Sequence, residues 1–199
     1  MDTRAPGAPA GARERILDTA YELFTQRGIR DVGVDELIER AGVAKATLYR
    51  YFHSKEDLVD AFLQQREELW TLGWVEAETR RRGGTAEQQL LTIFDLFDEW
   101  FQREDFEGCS FVNVMLELGP RHPAGKASVQ HIERVRRFLR ELGEEAGVAE
   151  PDTFALSWHI LMKGSIVLAS AGDLDAAQRA KEMGATLIAQ HRPAHQITA

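Results

Sequence analysis

The strongest chemical signal in the sequence is a short basic segment in a chain that is otherwise acidic. Residues 43–55 contain four side chains that are basic or can accept a proton, and they contain no Asp or Glu. These side chains are Lys45, Arg50, His53 and Lys55. The whole chain has a formal net charge of −8, and residues 59–199 hold fifteen Lys or Arg against twenty-two Asp or Glu. This distribution suits a protein that binds a phosphate backbone through one small face while the rest of its surface repels it.

Two short helices joined by a tight turn are predicted around this segment. Apolar residues at helical spacing indicate one helix over residues 34–41 and a second over about residues 45–51. Between them, Gly42 can take the left-handed backbone conformation that a β-carbon would penalise. These dimensions are typical of a helix-turn-helix, whose second helix enters the major groove of DNA. A helical hairpin whose basic side chains are merely solvated is the alternative.

The same segment resembles a known protein family. Its sequence AGVAKATLYRYFHSKEDLV is similar to the strongest motif of the tetracycline-repressor (TetR/AcrR) family of transcriptional regulators, and the resemblance covers roughly residues 13–60. The resemblance implies a three-helix DNA-binding domain, a larger domain that binds a ligand and dimerises, and release from DNA when an effector binds. It also implies that Tyr49, His53 and Lys55 contact phosphates. Repression rather than activation of transcription is implied by the resemblance alone.

The predicted DNA-binding residues lie on the second helix of the motif and just beyond it. Long donors at both ends of this helix, with small residues between them, would let it approach base edges. The full set is Lys45, Ala46, Thr47, Tyr49, Arg50, His53 and Lys55. Two positions depart from the family pattern: Gly33 stands where Ser or Thr is usual, and Ala44 stands where Ser is common. Both helices therefore lack a side-chain N-cap, and base specificity stays open.

Helical periodicity continues along the rest of the chain, with no alternating strand pattern and no internal repeat. We predict an all-α protein with a disordered tail over residues 1–11, a helix-turn-helix domain over 12–58, and a larger effector-binding and dimerisation domain over 59–192. A long helix from about residue 55 to residue 80 would belong to both domains. The single cysteine excludes an internal disulfide, and no run of 18 apolar residues is present. A cytoplasmic protein without membrane association is the expectation.

The second domain is predicted to hold a pocket for a hydrophobic effector that is neutral or cationic. Asn113 and Glu117 lie one helical turn apart in an otherwise apolar segment, so we expect them to face a cavity lined by aromatic rings. The predicted lining is Trp70, Trp74, Phe94, Phe97, Trp100, Phe101, Asn113 and Glu117. In such a cavity, Glu117 would disfavour an anionic ligand. The aromatic residues could instead fill the core, and whether Glu117 faces the pocket stays open.

The last two predicted helices are the candidate dimer interface, because both carry apolar stripes interrupted by small residues. The predicted interface residues are Phe154, Trp158, Leu161, Ser165, Leu168, Ala180, Met183 and Leu187. A two-fold homodimer implies a nearly palindromic operator in double-stranded DNA. The alternative is that these stripes pack within one monomer.

Enzyme function has little support in the sequence. It contains no Glu-x-x-His pair for a helical di-metal site, no His-Glu-x-x-His, no Gly-x-Ser-x-Gly and no phosphate-binding glycine loop. We therefore predict no catalytic residues, no metal and no cofactor. A second alternative is an architectural DNA-binding protein without an effector, which would lack a sizeable cavity in its helical half.

Overall fold

The computed structural model describes residues 11–192, a region built of nine helices that contains no strand. The predicted disordered tail, residues 1–11, lies outside the described residues except for Gly11. The helices are α1 (Ala12–Arg27), α2 (Val34–Ala41), α3 (Lys45–Tyr51), α4 (residues 55–82), α5 (Ala86–Phe101), α6 (Ser110–Leu118), α7 (Pro123–Glu145), α8 (Pro151–Ser170) and α9 (Ala176–Gln190). The all-α prediction is confirmed. None of the helices in this region is both long enough and apolar enough to cross a membrane.

Helix α4 is one continuous helix in three parts. It is α-helical over Lys55–Arg66, π-helical over Glu67–Glu76, and α-helical again over Ala77–Arg82. Ser54 caps its start, because its side chain accepts a hydrogen bond from the backbone N–H of Asp57 at 3.1 Å. A π-helical segment has more residues per turn than an α-helix, so it changes which side chains share a face beyond residue 66. The sequence predicted the long helix but not this change of winding.

Helix α6 begins later than its apolar pattern suggested. Phe106 would extend the apolar pattern of this helix towards the N-terminus, whereas the structure begins the helix at Ser110. Gly108 has a φ of 75°, a left-handed conformation that interrupts a right-handed helix. The helix is consequently nine residues long and starts close to α8.

The helices enclose two hydrophobic cores. The first is formed by α1, α2, α3 and the start of α4, and it also contains Phe111, Val114 and Ala124 from α6 and α7. The second is formed by α5, α7, α8 and α9, with Val75 from α4, and its largest side chains include Phe94, Phe97, Phe154 and Trp158. Helix α6 therefore packs against the helix-turn-helix core although it follows it by more than fifty residues.

Candidate functional site

The turn between α2 and α3 has the geometry that the sequence predicts. Gly42 adopts φ 62° and ψ 43°, and its N–H donates to the carbonyl of Glu39 at 3.2 Å. The next N–H, from Val43, donates to the carbonyl of Ile38 at 3.2 Å. These two bonds close the end of α2 and direct α3 away from it at a fixed angle. Val43 packs partly buried against the first core, which holds the turn in place.

Helix α3 has a buried side and an exposed side. Leu48 is buried in the first core, as is Phe52 directly after the helix. The predicted DNA-binding residues of the helix lie on the outside: Lys45, Ala46, Tyr49 and Arg50 are exposed, and Thr47 is half-buried. The Arg50 guanidinium lies 5.0 Å from the centre of the Tyr51 ring. As the sequence indicated, neither Gly33 nor Ala44 provides a side-chain cap.

Lys55 is placed differently from the other predicted DNA-binding residues. Its ammonium donates a hydrogen bond of 2.5 Å to the carbonyl of Ile29, in the turn after α1. Burial lowers the pKa of this ammonium below its usual value, and the carboxylate of Glu117 acts in the opposite direction. This bond ties α4 to the 28–30 turn, and the contact of Lys55 with a phosphate stays a prediction. His53, by contrast, is exposed beside α3.

Glu117 binds the same turn, residues 28–30, that Lys55 binds. It does not face the six aromatic residues predicted to line the pocket. One of its carboxylate oxygens accepts the N–H of Ile29 at 2.9 Å, and the other accepts the N–H of Arg30. A β-carbon at Gly28 would approach this carboxylate to 3.0 Å, so the turn and the carboxylate fit closely. The carboxylate of Glu117 therefore has its partner in the backbone of the helix-turn-helix domain.

The predicted aromatic residues pack against one another. Phe94, Phe97, Trp100 and Phe101 are buried in the second core, and Trp70 and Trp74 lie half-buried at its edge. The ring centres of Trp70 and Trp100 are 4.5 Å apart. The structure thus brings the six aromatic residues together, but it does not bring them to Asn113 and Glu117. These rings fill the second core, which is the alternative that the sequence left open.

Asn113 and Glu117 border a different space, an open cleft of about 860 Å³ between the two cores. Its walls are the last turn of α1, residues 106–107, the outer side of α6, and the end of α8. Phe24, Phe106 and Leu116 contribute apolar surface to these walls. Any molecule bound there would touch both the helix-turn-helix domain and the rest of the protein.

The predicted dimer-interface residues divide into two groups. Phe154, Trp158, Ser165 and Ala180 are buried within the monomer, where Trp158 lies 5.3 Å from both Phe94 and Phe154 between ring centres. For these four, the interface prediction is corrected, since their contacts are already inside the protomer. Leu168 and Met183 are exposed, and Leu161 and Leu187 are half-buried. Sequence reasoning missed Leu156, Ile160 and Val167, exposed apolar residues whose spacing of four and seven places them on one face of α8.

A polar cluster in the interior was also missed. The ring of His131 stacks on Phe111 with centres 3.4 Å apart, and its Nδ1 lies 3.0 Å from a carboxylate oxygen of Glu67. Arg134 binds the other oxygen of Glu67. His159 lies on α8 one turn before Lys163, whose ammonium is 3.5 Å from the Sγ of Cys109. These residues connect α4, α6, α7 and α8 at one place.

Both histidines in this cluster are held neutral. Burial, and after it the positive charges of Lys163, Arg134 and Arg66, lower the pKa of His131 from 6.5 to about 3. Burial, and then Lys163, His131 and Arg136, lower the pKa of His159 to about 3. The sequence signal for this cluster was weak, because single histidines on apolar helix faces are usually packed core residues.

Comparisons with known proteins agree with this geometry. Residues 16–62 match the family model "Bacterial regulatory proteins, tetR family". The fold matches the crystal structure of SCO4454, a TetR-family transcriptional regulator from Streptomyces coelicolor, with a TM-score of 0.85 and 26% identity over 92% of this chain and 96% of that one. Over residues 16–62 and in its fold, the chain is similar to TetR-family regulators. The residues that match the family model include the Gly42 turn and all of α3.

Curated relatives are also named as transcriptional regulators. The chain is 44% identical over 72 residues to the uncharacterized HTH-type transcriptional regulator MT1294 of Mycobacterium tuberculosis, a match that covers 36% of this chain and 30% of that protein. It is 27% identical over 182 residues to the transcriptional regulator AcuR of Cereibacter sphaeroides, covering 83% of this chain and 80% of AcuR. These relatives are named as transcriptional regulators, in agreement with the prediction from the sequence.

Proposed function

We propose that this protein is a TetR-family homodimeric DNA-binding transcriptional regulator that represses transcription and leaves its operator when a small hydrophobic effector binds. The observation that carries the proposal is the exposed side of α3. Lys45, Tyr49 and Arg50 project from a helix that Leu48 anchors in the core and that the Gly42 turn orients. Such a helix presents cationic and hydrogen-bonding groups to a groove without unfolding any part of the domain.

The chemistry of this surface suits duplex DNA. Arg50 and Lys45 are long donors that can reach guanine edges or phosphates, and Thr47 and Ala46 are small enough to let the helix backbone come close. The exposed His53 and Tyr49 add further contacts to the phosphate backbone. Electrostatic repulsion by the acidic remainder of the chain would restrict DNA to this face.

The connection between the two cores supports regulation by a ligand. We propose a helix-turn-helix domain over residues 12–58 and an effector and dimerisation domain over 59–192. Helix α4 belongs to both, and its first residue, Lys55, meets Glu117 of α6 on the backbone of residues 29–30. A ligand that prefers one arrangement of these three elements would change the position of α3, and by reciprocity DNA would weaken its binding.

Dimerisation through α8 and α9 is supported by their uncovered apolar side chains. Leu156, Ile160 and Val167 on α8, with Met183 on α9, are exposed apolar residues on the last two helices. Burying this face against its symmetry mate would remove apolar surface from water and would place two copies of α3 in successive major grooves. The expected operator is accordingly a near-palindrome.

The test is selection of DNA from a randomised library by the full chain, followed by mobility-shift titration of the selected duplex. Replacing Lys45, Tyr49 and Arg50 together by Ala should abolish the shift. The matched control replaces the exposed residues Lys126, Gln130 and Arg137 of α7 by Ala and should leave it unchanged. Binding by the first variant at the wild-type affinity would overturn the proposal.

The second candidate is an architectural DNA-binding protein without an effector. The cleft of about 860 Å³ between the cores favours the regulator. A regulator needs a ligand site that both domains border, whereas an architectural protein binds no ligand. The two candidates differ in the titration above: a regulator loses the shift with some small molecules, and an architectural protein with none.

A further inference from the structure

We infer that the N-terminal end of α6 binds the carboxylate group of a small organic acid. Lys163, the Ser110 hydroxyl and the first backbone N–H groups of the helix would hold it. The inference rests on the proposed function, since it identifies the chemical class of the effector and the place where its charged end sits.

The first observation is the end of the helix itself. Helix α6 runs for nine residues from Ser110, and the side chain of its N-cap residue, Cys109, accepts no hydrogen bond from the first turn. The first turn also contains no acidic residue. The partial positive charge of these N–H groups is thus balanced neither by a cap nor by a carboxylate of the turn, which is the arrangement that binds anions in many proteins.

The second observation is a pair of buried polar atoms that lack partners. Ser110 is 5% exposed and His159 is 7% exposed. Within residues 11–192, neither the Ser110 Oγ nor the His159 Nε2 has a hydrogen-bond partner. Buried polar atoms in native proteins are nearly always paired, so an unpaired hydroxyl at an uncapped helix end indicates a missing polar guest.

The third observation is the charge balance. The Lys163 ammonium is half-buried, and across the described residues it forms no ion pair; it donates only to the Sγ of Cys109, a weak acceptor, at 3.5 Å. The two carboxylates of this region already have positive neighbours: Glu67 is bound by His131 and Arg134, and Glu107 is acted on by Arg66. The Lys163 ammonium, which has no carboxylate partner among the described residues, therefore leaves room for one negative charge. A carboxylate satisfies that balance, and a phosphate dianion exceeds it.

The open cleft provides a route to this place. Its walls include Glu107 and Ser170, and a β-carbon at Gly108 would lie 3.0 Å from the Ser170 hydroxyl. Gly108 directly precedes Cys109, and Lys163 is seven residues before Ser170, on the same face of α8. The cleft wall at Glu107 is therefore two residues from Cys109, the N-cap residue of α6.

Glu117 does not oppose an anion at this end. It is seven residues from Ser110, about 10 Å along the helix axis, and both of its oxygens are bound by the backbone of residues 29–30. The expectation that the effector is neutral or cationic rested on Glu117 facing the ligand. With Glu117 at the other end of α6, that repulsion no longer applies.

The test compares acids with amides of the same shape. Acetate, propionate and benzoate, and their amides, are titrated into the full chain by calorimetry. At least one acid should bind and no amide should. Lys163→Met should weaken acid binding by about tenfold or more, the usual loss for a charged hydrogen bond. Ser110→Ala should weaken it by a smaller factor, and the control Lys126→Met, on the exposed side of α7, should not change it.

Three outcomes would overturn the inference: no acid binds, the amides bind as well as the acids, or Lys163→Met binds the acid as wild type does. Inorganic phosphate binding in place of every acid would overturn the carboxylate assignment. If Lys163→Met unfolds, circular dichroism will reveal it, and Lys163→Gln with Ser110→Ala takes its place. Retained operator binding by these variants would separate a failure here from a failure of the proposed function.

Discussion

The outside of the helix-turn-helix and the junction between the two cores hold polar side chains in opposite ways. Lys45, Tyr49 and Arg50 lie outside the first core. His131 and His159 are instead buried, and His131 stacks on Phe111 of the first core. A surface that meets a large polyanion needs no cavity, whereas recognition of a small molecule requires polar groups that are removed from water. The comparison supports the proposal that DNA binds on the outside of one domain and the effector between buried helices.

The largest expected effect tests the packing of the second core. Trp158→Ala should lower the free energy of unfolding by about 3–5 kcal/mol, because Trp158 is fully buried between Phe94 and Phe154. Ile160 on the same helix is 72% exposed, so Ile160→Ala should change the stability of the monomer little and should weaken dimerisation. Urea denaturation and analytical ultracentrifugation measure the two effects. Equal losses of stability in both variants would mean that α8 has no inner and outer face.

The next effect tests the buried histidines by pH. With a pKa of about 3 in the folded protein and about 6.5 in the unfolded chain, each histidine takes up its proton only in the unfolded state as the pH falls below 6.5. The stability that each contributes is therefore complete above pH 6.5 and is lost on acidification. Between pH 7.5 and pH 5 the loss should be about 2 kcal/mol for each histidine.

The groups around each histidine make this assignment testable. Lys163 and Arg136 act on His159, while Glu67, Arg66, Arg134 and Lys163 act on His131. Urea denaturation at both pH values should show about half the loss in His159→Gln, and His53→Gln, at an exposed position, should leave the loss unchanged. Binding of an organic acid beside Lys163 should also reduce this loss of stability, because the nearby anion favours the protonated form of His159 in the folded protein. A stability that does not change over this range would contradict burial of neutral histidines.

A smaller effect tests which basic side chains contact DNA. Arg50→Ala should weaken operator binding by about 1–3 kcal/mol if it contacts a base edge. Lys45→Ala should reduce the slope of the logarithm of affinity against the logarithm of salt concentration by about one. Lys55→Met should leave that slope unchanged, because its ammonium is bound to the Ile29 carbonyl. A reduced slope in Lys55→Met would place this ammonium on a phosphate when DNA is bound.

The smallest effect tests the contact between the two domains. Glu117→Gln keeps one acceptor but loses the charge that binds the N–H groups of Ile29 and Arg30, so stability should fall by about 1 kcal/mol. The effect of an effector on operator affinity should fall with it, as measured by mobility shift with and without ligand. Glu104→Gln, at an exposed position, is the control. Undiminished coupling in Glu117→Gln would assign the transmission to α4 alone.

The sequence by itself determined the helix-turn-helix. Its signals are local: apolar residues at helical spacing, a glycine where the backbone is left-handed, and basic side chains on one face of α3. Each of these acts within a few residues of itself, so no knowledge of the rest of the chain was needed. The all-α architecture followed in the same way.

Only the tertiary structure decided the partners of the polar and aromatic residues in the second half. The apolar segment around Glu117 indicated that its carboxylate needs a partner, but the partner is the backbone of Ile29 and Arg30, 88 and 87 residues earlier. Similarly, periodicity could not tell whether Trp158 or Ile160 faces the inside, because α8 is apolar on both sides. Hydrogen bonds and packing between distant helices leave no period in the sequence, and the winding of α4 and the buried cluster around Lys163 depend on such contacts.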